Sequence, residues 1–444
     1  MTGSVPVTWS SQGRHEVVTG GCRGPGRSGA KYARMSDLPR RAVVLGLGVT
    51  GEAAALALAA SGVEVVATDR SPDADPGRLA GTGVELRLGT EDASVLEGVD
   101  VVVKSPGVPA GSPVAAAARE RGIPVWSEIE LGWRLLPGNP VIGVTGTKGK
   151  TTTVRLLGAM FAAAGVDAVL AGNEHVPLSE VALTVGEGTW IVCELSSFQL
   201  EDVETLACDV AVLLNLEPDH LDRHGTFEDY RAAKLRIFER ARVKIVPRGI
   251  GLDGEEFGGD DPLPAEPRMP GIHNRANAVA ATAAAHAAGL PDYAIADALR
   301  TFAGVPHRLE LVRELRGIRY VNDSKATNTA AARRGVAAYD APLHLILGGS
   351  LKGEDFAPFA ADLPENVRSI HLIGTASEEL AAALDAAGRG YARDGDLATA
   401  IAHATEIAEP GDVVLLSPAT ASFDQFRNFE DRGDAFRRIV EELQ

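Results

Sequence analysis

Residues 141–153, VIGVTGTKGKTTT, hold the densest set of groups suited to phosphate chemistry in this 444-residue chain. Gly146, Gly149, Lys150 and Thr151 fall where an apolar strand runs through a short loop into a helix. A helix N-terminus offers unpaired N–H groups and the positive end of a dipole, so an anion is stabilised there. Lys150 would reach the β- and γ-phosphates of a nucleotide, and the Thr151 hydroxyl would ligate Mg2+. The spacing departs from the strict phosphate-loop pattern, because Val144 occupies the place of its first glycine. The string is a T-G-x-x-G-K-T variant. The bland alternative is a glycine turn that only caps a helix.

A second glycine turn lies near the start of the patterned sequence. Gly46, Gly48 and Gly51 follow an apolar run, and Asp69 comes eighteen residues after Gly51, at the end of the next such run. This meets the dinucleotide fingerprint, so an NAD-dependent oxidoreductase is one reading. A helix N-terminus holding another diphosphate, such as that of a UDP-sugar, is the other. Hydride transfer does not need a second phosphate loop with Lys and Thr, and no catalytic constellation for it is evident.

The elements that must position these turns alternate throughout. AVVLGLG, VEVVATD, VDVVVKSPG and IPVWSE read as strands separated by helical runs such as AAALALAASG and PVAAAARERG. A second unit opens at PVIGVTG and continues through the strands TWIVCEL and CDVAVLLNL. It closes with the helical runs NAVAATAAAHAAG and YAIADALRTF. Residues 247–267, rich in Pro, Gly and acid, are expected to be a solvated loop. A third unit carries the strands IRYVND, LHLILGG, SIHLIG and DVVLLSP. The expectation is α/β throughout: a Rossmann-like N-terminal domain (37–126), a central phosphate-loop domain with a parallel sheet (127–304) and a Rossmann-like C-terminal domain (305–444). Residues 1–36, rich in Gly, Ser and Arg, are expected to be a disordered extension, and translation could start at Met35.

Composition narrows the class. Hydrophobic residues at 45% and charged residues at 23% allow ordinary globular cores. A formal charge of −17 argues against general nucleic-acid binding, which needs concentrated Lys and Arg, but leaves room for a nucleotide at a local positive site. Cys22, Cys193 and Cys208 form neither a disulfide framework nor a zinc pattern. No apolar run approaches the ~20 residues that span a bilayer. The expected setting is cytoplasmic, and the expected partners are small molecules bound by a monomer.

Further strings follow TGTKGKTT in a fixed order: CELSSFQLE (193–201), LNLEPDHLDRHGTFEDYRAAKLRIFE (214–239), HNRANAVAA (273–281), HRLE (307–310), NDSKATN (322–328), LGGSLKG (347–353) and SPATASFDQFRNFEDRG (417–433). Together they resemble the Mur ligases over about residues 41–440. NDSKATN and SPATASFDQF resemble in particular the members that add D-glutamate to UDP-N-acetylmuramoyl-L-alanine. The resemblance implies ATP-dependent amide formation through an acyl phosphate, in peptidoglycan precursor synthesis. It also implies a UDP-binding, an ATPase and an amino-acid-binding domain in that order.

The roles that follow are what the resemblance implies. Gly146, Thr147, Lys148, Gly149, Lys150, Thr151 and Thr152 hold the ATP phosphates, with Lys150 also catalytic. Asn274 and Asn277 contact adenine, although Asn274 is equally suited to cap its helix. Arg308 and Asp323 meet ATP phosphate and ribose. Thr151, Glu194 and His220 hold Mg2+; otherwise Glu194 would be a solvent-facing strand end and His220 a structural histidine. Lys234 becomes a carbamate that helps to hold metal, a step that needs a neutral amine although free lysine titrates near ~10.4. Without the resemblance it would be a solvated helical cation.

Val49, Thr50, Thr68, Asp69, Arg70, Ser105 and Gly107 hold the UDP-substrate, and Asn173 its muramoyl end. Lys325, Thr327, Lys352, Ser422 and the Phe429 N–H hold the two carboxylates of D-glutamate. Three departures stand out: Lys148 for the usual Asn, GNEHVP (172–177) for a GNIG-type string, and Thr420 for the usual Cys. Addition of another amino acid such as L-glutamate, and a non-catalytic nucleotide-binding relative, complete the set of readings.

Overall fold

The computed structural model describes residues 17–21, 38–269, 271–351 and 353–444. The start of the chain up to residue 16, residues 22–37 (with Cys22 and Met35) and the expected glutamate ligand Lys352 lie outside the described residues. Two compact units divide between Phe302 and Ala303. The first holds two sheets and the second holds one.

Strand β1 (Val17–Gly21) belongs to the second sheet and is taken up below. The first sheet uses β2 (Arg41–Leu45), β3 (Glu64–Asp69), β4 (Glu85–Leu88), β5 (Val101–Lys104) and β6 (Val125–Ser127). All neighbours are parallel, in the order β4-β3-β2-β5-β6. The β2 and β5 runs are Val-rich and buried on both faces, as an internal parallel strand requires. Connections leave β2 towards β3 on one side, while β5 lies on the other. A crevice therefore opens beyond the carboxyl ends of β2 and β5, where Gly46 and Ser105 follow.

The second sheet adds β7 (Val141–Thr145), β8 (Val166–Gly172), β9 (Trp190–Glu194), β10 (Val210–Leu213), β11 (Val243–Pro247) and β12 (Glu255–Phe257). Its order is β1-β8-β9-β7-β10-β11-β12, parallel apart from β1. The central strand β7 is buried along its whole length, and the phosphate loop leaves its carboxyl end between the ends of β9 and β10. The helices Lys150–Ala164 and Ile272–Ala287 cover one face through Leu156, Met160, Ala278 and Ala281.

Two expectations are corrected here. Val17–Gly21 is not structureless, because its backbone pairs antiparallel with the otherwise open edge of β8. The 247–267 stretch is not all solvated loop either. It contains β12, which pairs in parallel with β11 and buries Phe257.

The second unit has a mixed sheet of β13 (Glu310–Leu315), β14 (Ile318–Asn322), β15 (Leu343–Gly348), β16 (Val367–Ile373), β17 (Ala392–Gly395) and β18 (Val413–Leu416). The order is β13-β14-β18-β15-β16-β17, with β13 antiparallel to β14. Arg316 (φ 53°) and Gly317 (φ 79°) form the two-residue turn of that hairpin, and such turns need positive φ at both positions. Helix Phe429–Glu442 covers one face through Phe436 and Val440. No helix among the described residues is long and apolar enough to cross a membrane.

Candidate active site

The phosphate loop is fixed by Gly149, the N-cap of helix Lys150–Ala164, at φ +85°. A Cβ there would lie 2.3 Å from Asn277 Oδ1, so glycine is needed both for its conformation and for the close approach of Asn277. Asn277 is thereby brought to the loop. Asn274 sits one turn earlier in helix Ile272–Ala287, whose N-cap is Gly271, so the capping alternative for Asn274 fails. No acid stands in the first turn of helix Lys150–Ala164, which leaves its positive end available to an anion. Thr152 is buried in that turn.

Lys150 Nζ donates to the carbonyls of Gly146 (3.0 Å) and Thr147 (3.2 Å). Lys234, from helix Phe227–Leu235, donates to the same Gly146 carbonyl at 2.8 Å. It is buried, with its ammonium 4.8 Å from the Tyr230 ring centroid. Burial first, and the neighbouring Lys150 charge second, push its pKa down to about 7. This is no solvated cation. Tyr230 OH meets Thr147 Oγ1 at 2.9 Å and so ties the same helix to the loop. Lys148 is half-exposed and pairs with Glu217 Oε2 at 2.5 Å, so its added charge is largely neutralised.

Glu194 ends β9 and is 1% exposed, which overturns the solvent-facing alternative. Thr151 Oγ1 donates to its Oε1 at 3.3 Å and Asn173 Nδ2 reaches the same oxygen at 3.5 Å. Glu194 Oε2 is buried without a hydrogen bond, and His175 Nε2 stands 3.6 Å from it. Burial raises this carboxyl, while Lys150 opposes the rise. A buried carboxylate with an idle oxygen beside a Thr hydroxyl suits a hard divalent cation. Among the described residues no group of three His, Cys, Asp or Glu could hold a metal, so phosphate oxygens and water would have to complete the shell of an ion held there. His220 (φ 53°) is half-exposed, with its ring 5.0 Å from that of Phe198.

The first glycine turn opens on a cavity of about 430 Å3 lined by Thr50, Thr68, Asp69, Arg70, Ser105 and Gly107, among others. Val49 is not in that lining; it begins helix Val49–Ala60 and is exposed. Gly51 is obligatory, since a Cβ there would lie 1.8 Å from the Gly46 carbonyl. Asp69 accepts from Leu47 N (2.8 Å) and Ser71 N (2.9 Å). Each of its carboxylate oxygens therefore helps to shape the turn. Asn173 is not in the lining of this cavity and stands at Glu194.

In the second unit Asp323 follows β14 and accepts from Ser417 Oγ (2.8 Å) and Leu309 N (3.2 Å). Burial pushes it up to about 7, against Ser417 and Arg308. Arg308 itself is exposed. Lys325 Nζ lies 5.7 Å from the Phe429 ring centroid, and Thr327 N donates to the Lys325 carbonyl. Ser422 is buried. Phe429 begins its helix, where the first-turn N–H groups point outward.

The chain matches three family patterns: "Mur ligase MurD-like, N-terminal domain" over residues 40–127, "Mur ligase middle domain" over 144–248 and "Mur ligase, glutamate ligase domain" over 307–420. It is 40% identical to the UDP-N-acetylmuramoylalanine–D-glutamate ligase of Pelotomaculum thermopropionicum, over 91% of this chain and 98% of that one. It is 42% identical to the ligase of the same name from Sphingopyxis alaskensis, with the same two coverages. The chain belongs to the Mur ligase family. The oxidoreductase reading of the first turn is thereby overturned. The fold of this Mur ligase is similar to that of MurC from Thermotoga maritima (TM-score 0.52, 18% identity, 91% of this chain and 99% of that one). It is also similar to that of MurF from the same organism (TM-score 0.53, 17% identity, 85% and 95%).

Sequence reasoning missed several residues that this Mur ligase places at its sites. His175 stands within GNEHVP, noted only as a departure, and nothing in that string announces its approach to Glu194. Arg432 is fully buried, and its guanidinium donates to Ser324 Oγ and to the carbonyls of Ser324, Gly348, Thr420 and Ala421. It fastens together three strand-end loops that carry Lys325 and Ser422. Its signal was present: an arginine on the apolar face of an amphipathic helix. Phe198, Arg223 and Tyr230 lie within CELSSFQLE and LNLEPDHLDRHGTFEDYRAAKLRIFE, where their residue types alone carry no signal of a role.

Proposed function

We propose that this Mur ligase joins D-glutamate to UDP-N-acetylmuramoyl-L-alanine, converting ATP to ADP and phosphate, in the synthesis of peptidoglycan precursor. The observation that carries the reading is the pair Lys150 and Lys234, converging on the Gly146 carbonyl where the phosphate loop leaves β7. The names of the relatives supply the substrates.

Gly146, Thr147, Lys148, Gly149 and Thr152 cradle the ATP phosphates with their loop and first-turn groups. Lys150 neutralises charge that develops on the transferred γ-phosphoryl. A bound Mg2+ would neutralise phosphate oxygens, and Thr151, Glu194 and His220 are the side chains that would hold it. Asn274 and Asn277 serve adenine, and Arg308 and Asp323 the phosphate and ribose. The alanyl carboxylate takes the γ-phosphoryl, the bond to the ADP oxygen breaks, and an acyl phosphate results. After losing a proton, the glutamate amine attacks the acyl carbon, and the tetrahedral species expels phosphate.

Lys325, Lys352, Thr327, Ser422 and the Phe429 N–H hold the two glutamate carboxylates. Val49, Thr50, Thr68, Asp69, Arg70, Ser105 and Gly107 hold the UDP portion, and Asn173 the muramoyl end. Burial lowers the pKa of Lys234, so its neutral amine is accessible, adds to CO2 and releases a proton to become a carbamate. The enzyme works in the cytoplasm as a monomer, with domains dividing near residues 126 and 304.

The deciding experiment is phosphate release with each of UDP-N-acetylmuramoyl-L-alanine, ATP, Mg2+ and D-glutamate left out in turn. Release should require all four, and L-glutamate should not replace D-glutamate. ATP turnover without amide product would defeat the proposal.

A further inference from the structure

Between the UDP cavity and the phosphate loop runs a line of contacts whose inner members, Arg223, Phe198, His224 and Tyr230, carry none of the assigned roles. The turn after β5 lines the cavity with Gly107 and Val108. The Val108 carbonyl accepts from two cations, Lys104 Nζ at 3.1 Å and Arg223 Nη2 at 2.8 Å. Lys104 is itself buried against Asp202 (3.2 Å) of the other sheet's domain. Arg223 Nη1 also reaches the Gly107 carbonyl at 3.5 Å, and its Nε is buried without a hydrogen bond.

The Arg223 guanidinium carbon lies 4.1 Å from the centroid of the Phe198 ring. Phe198 in turn meets two histidines. His220 is 5.0 Å away and tilted, and His224 is 5.1 Å away and stacked at 8°. His224 is fixed by Ser197 Oγ (2.9 Å) and Glu201 Oε1 (3.2 Å), and its ring meets the edge of Tyr230 at 5.3 Å. Tyr230 ends the line at Thr147 and Lys234. His220 is the loosest member: it is half-exposed, in a left-handed conformation, and its aromatic support is Phe198.

We propose that Arg223 and Phe198 are positioning residues through which an occupied UDP cavity orders His220 for the nucleotide–metal complex. The proposal rests on the substrate reading above. A UDP group against Gly107 and Val108 restrains the turn whose carbonyls hold Arg223. Arg223 then restrains Phe198, and Phe198 the ring of His220. The second ligand binds a site whose ordering cost is already met, so each ligand favours the other reciprocally.

The test titrates the full-length protein with Mn2+–ADP, with and without saturating UDP, by calorimetry. In the wild type, UDP should tighten Mn2+–ADP about fivefold or more. Arg223→Met should bind each ligand alone within about twofold of wild type but lose the coupling. Phe198→Leu, which leaves the Arg223 hydrogen bonds in place, should lose it as well. Arg223→Lys should restore only part of it, because an ammonium can donate to one carbonyl but lacks the planar fork that stacks on a ring. If Arg223→Met fails to fold, Phe198→Leu and Arg223→Lys decide. Full coupling in the folded variants, or none in a wild type that binds both ligands, overturns the proposal. A wild type that does not bind UDP at all overturns the substrate reading instead.

Discussion

The turns at Gly46–Gly51 and Gly146–Lys150 are built alike and charged differently. Each follows a buried central strand, crosses a glycine at positive φ and opens a helix with no side-chain cap. In the first, Glu52 stands in the opening turn, engaged by Arg78 at 2.9 Å, and Asp69 is consumed by backbone amides. In the second, the opening turn is free of acid, Lys150 and Lys234 share one carbonyl, and Glu194 keeps an idle oxygen. A helix terminus alone can hold a diphosphate at rest. Moving a phosphoryl group needs cations gathered where charge develops.

Removing that cation density is the sharpest way to break the comparison. Lys150→Ala should cost at least ~2.7–4 kcal/mol in the barrier, a loss of about a hundredfold or more in kcat. UDP binding at the first turn should be unchanged by calorimetry. Near-normal turnover would mean that the two turns are chemically equivalent after all.

A smaller effect is expected at the joint between them. Glu128 begins the helix Glu128–Leu135 after β6 and accepts from Ser179 N and Oγ at 2.7 Å. It is fully buried and its Oε2 has no hydrogen bond. Burial raises its pKa to about 7, against the Ser179 hydrogen bonds. Between the ordinary carboxylate range and pH 7 the folded state therefore binds more protons than the unfolded one. Stability falls as pH rises through that window and stays lowered above it. Glu128→Gln should gain roughly 1–3 kcal/mol at pH 8 and almost nothing at pH 4.5, measured by urea unfolding. An equal gain at both pH values would remove the titration from the explanation.

What the sequence conveyed about the two turns depended on distance along the chain. The phosphate loop was legible because strand, glycines, lysine and helix are contiguous, and the parallel pairing of strands followed from alternation, though their order in each sheet did not. The state of Lys234 was not, because the Gly146 carbonyl that receives it lies 88 residues away. The approach of His175 to Glu194 was silent for the same reason, and although the place of Arg432 on an apolar helix face marked it as buried, its partners Gly348 and Ser324 are gathered by topology, not spacing. The strands β12 and β13 were missed as edge elements whose pairing is set by neighbours rather than by hydrophobic period.

At the first turn, Asp69→Asn keeps the shape of the side chain but can accept at only one of two backbone amides. The turn at Leu47 should loosen, weakening UDP by about five- to tenfold, or roughly 1–1.5 kcal/mol. The KM for ATP should stay within about twofold. A matching loss at both sites would show that Asp69 supports the whole unit rather than one turn.

Lys148→Asn tests how local the cation requirement is. Lys148 sits inside the phosphate loop, where a positive charge added to that of Lys150 looks like added affinity for ATP. Its side chain is 54% exposed and already paired with that of Glu217, itself 50% exposed. An exposed pair contributes about 0–1 kcal/mol and is screened by salt. The loop shape depends instead on Lys148 backbone groups, whose N–H donates to Asn215 Oδ1 at 2.8 Å and whose carbonyl accepts from Asn215 Nδ2 at 3.1 Å. Those bonds survive a side-chain change. The KM for ATP should therefore shift by less than about threefold, a difference that shrinks further in 0.5 M salt. A tenfold rise would mean that Lys148 leaves Glu217 for the phosphates, and that the charge contrast between the two turns rests on Lys148 as well as Lys150.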